Sequence, residues 1–561
     1  MFVRTKNTPN SPKTAVQLVE NIRTGKTIKQ KVIRHFGYAL NPDEIIALKK
    51  IALRYKLELE EKSQPKLFSS NTLLSLIEIG QKQSVENNKP IPVDLNDLKE
   101  QKRVCLGIHQ CYGGLFDQIG FNQVIKNSSR KEATVNLLRN IVMARISNPA
   151  SKRKSIMMLE QEYGVSINLS AVYRMMDLLD DAAINRTNQL SYQYTKSLLE
   201  EKVNIIFYDC TTLYFESFTE DELKQNGYSK DGKFNQSQVL LAMMVTQAGL
   251  PIGYQLYEGH KFEGHTLDNA LTQLHKDYKI NQLIFAADSA LLSGENIERF
   301  RQKQQPFIVG ARIKNLSKEL TKKILDSSGY KNLFETEDQT EEAITYQEIK
   351  IEDDLRLIVS YSPKRAAKDK YDREKAIESL KKKISKSKNP TSLLNNFGYK
   401  KYVKLEGEAK LVTDQQKIKQ AEKWDGLHGI LTNTSTKQQS VMTIYQHYKG
   451  LWQIEETFRI SKHDLKMRPI FHWTPRRIKS HIAICFMALV CMRVMEYKVN
   501  LQYKKLSPAA IRNELLRLQT SILKDQKTHK EYGIPSRASQ DAKKIYQLLG
   551  LKWSDTPFVI K

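Results

Sequence analysis

Cysteine and long apolar segments are scarce in this 561-residue sequence, and each scarcity excludes a class of protein. The five cysteines are scattered and none forms a Cys-x-x-Cys pair, so the pattern indicates neither a zinc ribbon nor a disulfide framework. Cys105 and Cys111 flank His109 on an apolar stretch. We interpret them as buried thiols in a reducing compartment rather than as metal ligands.

Signals for secretion or membrane insertion are also lacking. The first residues, Met1–Lys6, have no apolar core of the kind that a signal peptide needs. The longest apolar run, from Ile482 to Met495, is broken by Arg493, is too short to span a bilayer and is typical of a buried helix. These features predict a cytoplasmic protein that does not enter a membrane.

Negative charge is in short supply, since 62 Asp and Glu residues stand against 89 Lys and Arg residues and leave a formal net charge of +27. Such an excess indicates a polyanionic partner: DNA, RNA or an anionic membrane. Charge alone does not choose among them, and a lysine-rich proteome would give the same balance. The length allows two or more domains with hydrophobic cores.

The N-terminal part divides into two patterns. Residues 1–40 combine short β-type runs with turn sequences and predict a small basic β-rich module. Residues 41–198, with a helix that opens at Pro42, have helical spacing and predict a helical DNA-binding region. Within this region, residues 169–176 fit a recognition helix and an ordinary bundle helix equally well.

Residues 199–312 alternate strands and helices in a definite order. The predicted elements are strands at 203–215, 238–246 and 252–257, a helix at 266–278, a strand at 283–288, a helix at 294–302 and a strand at 306–312. The order β-β-β-α-β-α-β resembles that of the ribonuclease H-like fold. In that fold the first and fourth strands are neighbours, so the analogy places Asp209 beside Asp288.

With the rest of the chain, the sequence predicts an α+β multidomain protein. Its ribonuclease H-like core, a mixed sheet with flanking helices, is interrupted by an insertion domain. Residues 313–422 leave the strand-helix rhythm and predict a partly β-stranded insertion domain. Its charge-rich stretch, Lys364–Lys388, fits a basic helix or a solvated linker helix. Residues 423–500 predict the second part of the core, and residues 501–561 predict a C-terminal helical region.

One predicted helix carries several chemistry-bearing residues. At about 100° per residue, Tyr448, Glu455 and Lys462 form one stripe, and Arg459 lies about 40° from it. Glu456 points about 100° away from Glu455. The alternative is an ordinary surface helix with an ion pair between Glu455 and Arg459.

Asp209 and Asp288 each end or interrupt an apolar strand, where a lone carboxylate is costly to bury unless a metal compensates it. Mg²⁺ prefers hard oxygen ligands and needs few protein groups when phosphate supplies the others. Two such ions can activate the attacking oxygen and stabilise the leaving oxygen in phosphodiester chemistry. Together with Glu455, the two aspartates form the minimal carboxylate set for that task.

These motifs resemble those of bacterial insertion-sequence transposases of the DDE type, in the group with a Tyr-x2-Arg-x3-Glu-x6-Lys signature. Asp209 lies in Tyr-Asp-Cys-Thr-Thr-Leu and Asp288 in Ala-Ala-Asp-Ser-Ala-Leu-Leu-Ser, like the family's two Asp motifs. Tyr448, Glu455 and Lys462 fall on signature positions. The gap of 455 − 288 = 167 residues matches a domain inserted before the last acidic residue. The resemblance covers roughly residues 200–490.

The resemblance implies a mechanism and a set of partners. Asp209, Asp288 and Glu455 would hold two Mg²⁺ ions, for which Mn²⁺ can substitute, while Tyr448 and Lys462 would grip the phosphate. A nick would free a 3′-hydroxyl at the element's end, and this hydroxyl would attack target DNA. The partners would be terminal inverted repeats and target DNA, bound by a homodimer associated with the nucleoid in a bacterial cytoplasm.

One departure from the family pattern concerns a cation. The signature Arg falls on Leu451, so Lys449 or Arg459 replaces it, or this subgroup works without it. A basic and aromatic segment follows the helix, and its Arg476 and Arg477 could hold DNA phosphates or simply begin a solvated helix.

Two other functions remain open from the sequence. The chain could be an inactive DNA-binding protein descended from a transposase, although its intact carboxylates argue against this. It could also be a ribonuclease H-like nuclease that cleaves without joining, although a simple nuclease needs neither the long N-terminal region nor the insertion.

Overall fold

The structure is a computed structural model of the chain. It describes the chain apart from residues 1, 8–12, 25–26, 40–43, 50, 54, 56–76, 78–92, 127–129, 201–202, 217, 229–234, 278–282, 292, 334–342, 353, 387–401, 407–409 and 561. The predicted helix start at Pro42 and the last residues of the charge-rich stretch, 387–388, lie outside the described residues.

The described strands lie in four sheets. In chain order they are β1 (Phe2–Asn7), β2 (Thr14–Thr24), β3 (Thr27–Ala39), β4 (Leu98–Cys105), β5 (Ile205–Tyr214), β6 (Gln238–Thr246), β7 (Pro251–Glu258), β8 (Ile284–Ala287), β9 (Phe307–Ala311), β10 (Lys331–Asn332), β11 (Thr345–Glu352), β12 (Leu355–Tyr361), β13 (Val403–Glu406), β14 (Lys410–Thr413), β15 (Leu427–Thr432), β16 (Gln519–Asp525), β17 (Glu531–Pro535) and β18 (Phe558–Val559).

Beyond residue 100, α-helices connect and cover these sheets. They are α1 (Gly107–Ile119), α2 (Lys131–Ser147), α3 (Lys152–Tyr163), α4 (Leu169–Met176), α5 (Asp181–Leu198), α6 (Leu267–Thr272), α7 (Gly294–Gln302), α8 (Lys318–Leu325), α9 (Pro363–Lys386), α10 (Gln415–Glu422), α11 (Val441–Lys449), α12 (Trp452–Arg459), α13 (Pro475–Gln502), α14 (Pro508–Leu516) and α15 (Gln540–Leu548).

The central sheet has nine described strands in the order β10-β11-β12-β15-β9-β8-β5-β6-β7. Strands β5, β6 and β7 form an antiparallel meander, while β8 is parallel to β5 and β9 is parallel to β8. This is the strand order of the ribonuclease H-like fold, so the predicted fold is confirmed. Tyr208 pairs with Ala287 in the β5–β8 register, which brings Asp209, in the middle of β5, beside Asp288, the residue after the end of β8.

The inserted region continues this sheet instead of leaving it. Strand β15 is antiparallel to β9, β12 is antiparallel to β15, and β11 and β10 follow outward. A separate small core appears only after Tyr361, where α9, the β13–β14 hairpin and α10 bury Leu380, Tyr402 and Ile418. The sequence shows that the alternation of strands and helices ends after β9. It does not show that β9 would then be an edge strand, whose backbone N–H and C=O groups need hydrogen-bond partners.

Helix α13 forms the central element of the large hydrophobic core. Its residues from Ile482 to Met492 are almost completely buried, as expected for a helix that is apolar on every side. It is long and apolar enough to cross a membrane, but 94% of its most apolar window is buried inside the protein. The prediction of a buried helix is confirmed, as is the burial of all five cysteine thiols.

The C-terminal region is only partly helical, contrary to the prediction of a helical region, because strands accompany its helices α14 and α15. Strands β16, β17 and β18 form a four-stranded sheet with β4, in which Gln519 pairs with Cys105. The alternating burial of Gln519–Asp525 is a strand signal, but its partner lies more than 400 residues earlier in the chain. Such a long-range pairing is set by tertiary structure and is not visible in local spacing.

Candidate active site

One cavity of about 360 Å³ brings together residues that are far apart in the sequence. Asp209, Asp288, Glu455 and Tyr448 line it. The inserted region adds Ser360, Ser362 and Arg365, and Gly426 and His428 come from the segment that follows it. The cavity therefore combines three carboxylates, two tyrosines, a guanidinium and the lysine side chain of Lys449.

The two aspartates are oriented by their own backbone. Asp209 lies in β5, half-buried, and the backbone N–H of Cys210 donates to its Oδ1 at 2.7 Å. Asp288 follows the last residue of β8, and the N–H of Ala290 donates to its Oδ1 at 2.8 Å. Each carboxylate thus accepts one backbone hydrogen bond that orients it, Asp209 within β5 and Asp288 just after β8.

The helix that carries Glu455 is interrupted, contrary to the continuous helix predicted for residues 448–462. Helix α11 ends at Lys449, a turn at Gly450 and Leu451 follows, and α12 then runs to Arg459. Residues Ile460–Asp464 form a π-helical turn. Tyr448 and Glu455 still line the same cavity, but Lys462 is not among its lining residues. The wider turn changes the rotation per residue, which ends the predicted stripe before Lys462.

Two glycines allow the close packing behind this arrangement. A Cβ at Gly450 would lie 2.5 Å from the ring of Phe207 in β5, so only glycine lets the α11–α12 junction approach the sheet so closely. A Cβ at Gly310 in β9 would lie 2.5 Å from the Tyr448 hydroxyl. The bare backbone of β9 therefore makes room for the phenol at the edge of the cavity.

The neighbouring glutamates have different partners. Arg459 donates from two nitrogens to Glu456, each at 2.7 Å, and lies 3.7 Å from Asp464. The predicted ordinary ion pair between Arg459 and Glu455 is therefore wrong. In the described part of the chain Glu455 has no ion pair, and its exposed side chain faces the cavity.

Tyr448 is held in its protonated form. Burial, together with the negative charges of Asp288 and Glu455, raises the pKa of its phenol to about 12. The ring of His428 lies 5.0 Å away, centroid to centroid, and burial next to the charge of Arg365 lowers the pKa of this histidine to about 4. Near neutral pH the site thus offers an O–H donor at Tyr448 and an uncharged imidazole at His428.

The three carboxylates share the cavity without forming a closed ligand set. Across the described residues, no group of three His, Cys, Asp or Glu side chains is arranged to hold a metal ion. Three like charges around one cavity repel each other, and a bound cation would remove that repulsion. The donors are all hard oxygens, the ligand type that Mg²⁺ and Mn²⁺ prefer.

The basic residues at the start of α13 have protein partners. Arg477 forms two hydrogen bonds of 3.1 and 3.2 Å with the Asp177 carboxylate, and Arg476 donates to the Asp177 carbonyl oxygen. Lys479 contacts Asp181 at 2.9 Å. These contacts attach α13 to the α4–α5 connection. The proposed DNA contacts of Arg476 and Arg477 stay predictions.

Several residues of the cavity were not singled out from the sequence. Arg365 and Ser362 lie at the start of the charge-rich stretch, where one arginine does not stand out among many lysines. His428 lies on β15 and Trp452 at the start of α12, and both line the cavity. His428 is placed by the long-range pairing of β12 with β15, for which the sequence carries no local signal. Trp452 is placed by the packing of α12 against β5.

A family model described as the transposase DDE domain matches residues 202–491 of the chain. The match covers 491 − 201 = 290 of 561 residues, which is more than half of the chain. The chain belongs to the DDE transposase family. A second model, for the N-terminal domain of IS1634 family transposases, matches residues 2–66. The protein is therefore a DNA transposase of the bacterial insertion-sequence type, an enzyme that cleaves and joins DNA.

Other comparisons gave weaker results. No curated protein matches this transposase significantly. Among solved structures, the piggyBac transposase synaptic complex with hairpin DNA is 11% identical, with 73% of this chain and 79% of that chain covered and a TM-score of 0.36. The Mos1 transposase paired-end complex is 10% identical, with 48% and 77% covered and a TM-score of 0.14. The fold assignment rests on the strand order and not on these similarities.

Proposed function

We propose that this transposase binds the ends of an insertion sequence, cuts there and joins the ends to target DNA by two-metal phosphoryl transfer. The observation that carries the proposal is the convergence of Asp209, Asp288 and Glu455 on one cavity. The intervals between them are 288 − 209 = 79 and 455 − 288 = 167 residues. Nothing in local packing requires three acidic side chains to meet there.

In this proposal the three carboxylates are the metal ligands, and the ions are Mg²⁺, with Mn²⁺ as a substitute. The donor set fits, because it consists only of oxygens around a cavity large enough for ions and a phosphate. When bound, two such ions supply activation of the attacking oxygen and stabilisation of the leaving oxygen. Asp209, in the middle of the three elements, is the residue proposed to contact both ions.

The chain's other residues bind and orient DNA. Tyr448, whose phenol is protonated near neutral pH and whose pKa is raised to about 12, donates its O–H to a phosphate oxygen. Lys462 is proposed as a phosphate contact outside the cavity. Arg459, Arg476 and Arg477 are proposed as further phosphate contacts. To make them, Arg459 and Arg477 would share or exchange the carboxylates of Glu456 and Asp177, and Arg476 would leave the carbonyl oxygen of Asp177.

The proposal extends to the assembly. Phosphoryl transfer at two paired ends needs two catalytic cavities, so we propose a homodimer in the DNA complex. The reading of the terminal inverted repeats is assigned to the N-terminal module and the helical region. Membership of the Tyr-Arg-Glu-Lys group is part of the proposal as well, with Leu451 as its exception. We place the protein in the bacterial cytoplasm, on the nucleoid.

Cleavage and strand transfer on end-containing DNA with Mg²⁺ test this function. Asp209→Asn, Asp288→Asn and Glu455→Gln keep the side-chain size and remove a charge. Each should lower both activities on the order of a thousandfold or more, because positioning and charge stabilisation supply most of the catalysis. DNA binding should survive, since fewer negative charges do not hinder a phosphate. If all three variants cut normally, the metal site lies elsewhere.

The same assay separates the two alternatives. An inactive DNA-binding descendant would bind the ends without cutting them under any metal condition. A nuclease without strand transfer would nick the DNA but leave no joined product. The transposase predicts both products, and both should disappear together in Glu455→Gln.

A further inference from the structure

The cavity lacks a cation where the family signature has one. Leu451 occupies that position and lines the cavity with an apolar side chain. The two nearby cations are engaged otherwise. Lys449 lines the cavity too, but its ammonium lies 4.8 Å from the centre of the Tyr445 ring and contacts that ring. Arg459 is bound to Glu456 and is not among the lining residues.

A cation does enter the cavity from the inserted region. Arg365 lies in the first turn of α9 and lines the same cavity as Leu451. Arg365 lines this cavity together with Tyr448 and His428. Its positive charge helps to lower the pKa of His428 and offsets part of the rise in the pKa of Tyr448. Among the described residues, the carboxylate within 4.0 Å of the Arg365 guanidinium is Asp369, at 3.9 Å, and the Arg365 side chain remains 49% exposed.

The start of α9 is held firmly in place. The Ser362 hydroxyl accepts a hydrogen bond from the Arg365 backbone N–H at 3.3 Å and caps the helix. The Asp369 carboxylate accepts from the N–H of Gly426 at 3.0 Å, which ties the second turn of α9 to the loop before β15.

A second contact from α9 fixes the same loop before β15. The buried Arg373 side chain of α9 forms an ion pair with Asp425. Gly426 has a φ of +79°, and a Cβ there would lie 2.8 Å from the Cβ of Ala366, so glycine permits the contact. Arg365 therefore projects from a rigid support rather than from a mobile linker, which lowers the entropy cost of binding a phosphate.

We propose that Arg365 binds the phosphate of the DNA strand that is cut, and that it replaces the cation missing at Leu451. The inference rests on the proposed two-metal function. A planar guanidinium can bind two phosphate oxygens at once, and the positive end of the α9 dipole points the same way. The charge would stabilise the phosphate from the side opposite the carboxylates, with Tyr448 beside it.

The test is single-turnover cleavage of saturating end DNA by the full-length protein with Mg²⁺. Arg365→Gln should slow cleavage by about 10- to 100-fold, as expected when one oriented charged donor is lost, and should change the DNA affinity by less than about threefold. Arg365→Lys should be intermediate, because an ammonium keeps the charge but loses the two-point contact. Lys370→Gln, an exposed lysine on α9 outside the cavity, is the matched control.

A second variant distinguishes a contact with DNA from a structural role. Adding Leu451→Arg to Arg365→Gln puts a guanidinium back into the same cavity, now from the α11–α12 junction. The double variant should therefore cleave about tenfold faster than Arg365→Gln. Cleavage by Arg365→Gln at the rate of Lys370→Gln overturns the inference, and so does a double variant as slow as Arg365→Gln. If Glu455→Gln also cuts like wild type, the proposed function itself has failed; if only Arg365→Gln does, this inference alone has failed.

Discussion

The two walls of the cavity differ in charge and in origin. The wall built from the ribonuclease H-like core, on β5, β8 and α12, carries Asp209, Asp288 and Glu455. The wall built from the inserted region carries Arg365 and two serines. In the proposed mechanism the first wall binds metal cations and the second binds the anionic backbone of DNA. The insertion would then be more than a spacer between the second and third acidic residues, because it would supply part of the phosphate site.

We expect the largest effect at the acidic wall, where Mg²⁺ binding should stabilise the folded protein. Mg²⁺ at about 100 times its dissociation constant should stabilise the protein by about 2.7 kcal/mol, since it binds the folded state and removes repulsion among three carboxylates. Asp209→Asn should lose this stabilisation, and in metal-free buffer it should melt no lower than wild type.

Melting curves with Mg²⁺ and with NaCl of equal ionic strength provide the measurement. An equal Mg²⁺ shift in wild type and Asp209→Asn would contradict the assignment of the ligands. A shift produced equally by NaCl would reduce the effect to screening of surface charge.

The next largest effect, on the rate of cleavage, is expected at Tyr448, where the two walls meet. Tyr448→Phe removes the O–H donor, and Gly310→Ala places a methyl group 2.5 Å from it, so both should slow cleavage by about 10- to 100-fold. A hydrogen bond to a charged group contributes about 1.5–3 kcal/mol, which corresponds to this range. Gly294→Ala, with open space around its Cβ, is the control in the same single-turnover assay. Normal cleavage by Tyr448→Phe would remove the phenol from the mechanism.

The core wall was predictable because its signals are local. An aspartate that interrupts an apolar strand, at Asp209, or follows its end, at Asp288, has a simple physical meaning, and the order of elements fixes which strands are neighbours. Strand β6 and helix α7 were predicted with the bounds that the structure shows. A seven-residue step joined Tyr448 to Glu455 correctly because the turn between them keeps both on the cavity side.

The insertion wall and the C-terminal sheet were not predictable in the same way. The pairing of β12 with β15 joins segments about 70 residues apart, and that of β4 with β16 joins segments more than 400 apart. Arg365 reaches the cavity only through the first of these pairings. The π-helical turn that ends the predicted stripe before Lys462 likewise depends on tertiary packing, because α12 packs against β5 and the turn itself packs against α13.

A smaller effect should distinguish the adjacent residues Glu455 and Glu456 and test which of them is the ligand on the acidic wall. Glu456→Gln should cut within about threefold of wild type, but it should lose up to about 1 kcal/mol of stability because it weakens the two hydrogen bonds from Arg459. Glu455→Gln should do the reverse, with normal stability and little cleavage. Cleavage rates and melting temperatures of the two variants, measured side by side, decide the matter. If Glu456→Gln were inactive and Glu455→Gln active, Glu456 would be the metal ligand and the assignment of Glu455 would be wrong.

The smallest effect concerns positive charge far from the cavity. Lys6 and Lys31 are exposed on the outer strands of the β1–β2–β3 sheet, in the part that matches the N-terminal transposase domain. If they contact phosphates of the end DNA, Lys6→Gln and Lys31→Gln should each lower the slope of log affinity against log salt by about 0.9. Single-turnover cleavage of bound DNA should stay unchanged, in contrast to Arg365→Gln.

Substitution is a better test of this module than deletion of residues 1–130, which would remove β4 from the C-terminal sheet and α1 from the core. Lys530→Gln, an exposed lysine between β16 and β17, is the matched control in the same salt titration. Unchanged slopes in both variants would assign end binding to other residues. A slower cleavage step in either variant would mean that positive charge on the module acts in the chemistry, and the division between the phosphate-binding wall and the distant DNA contacts would have to be abandoned.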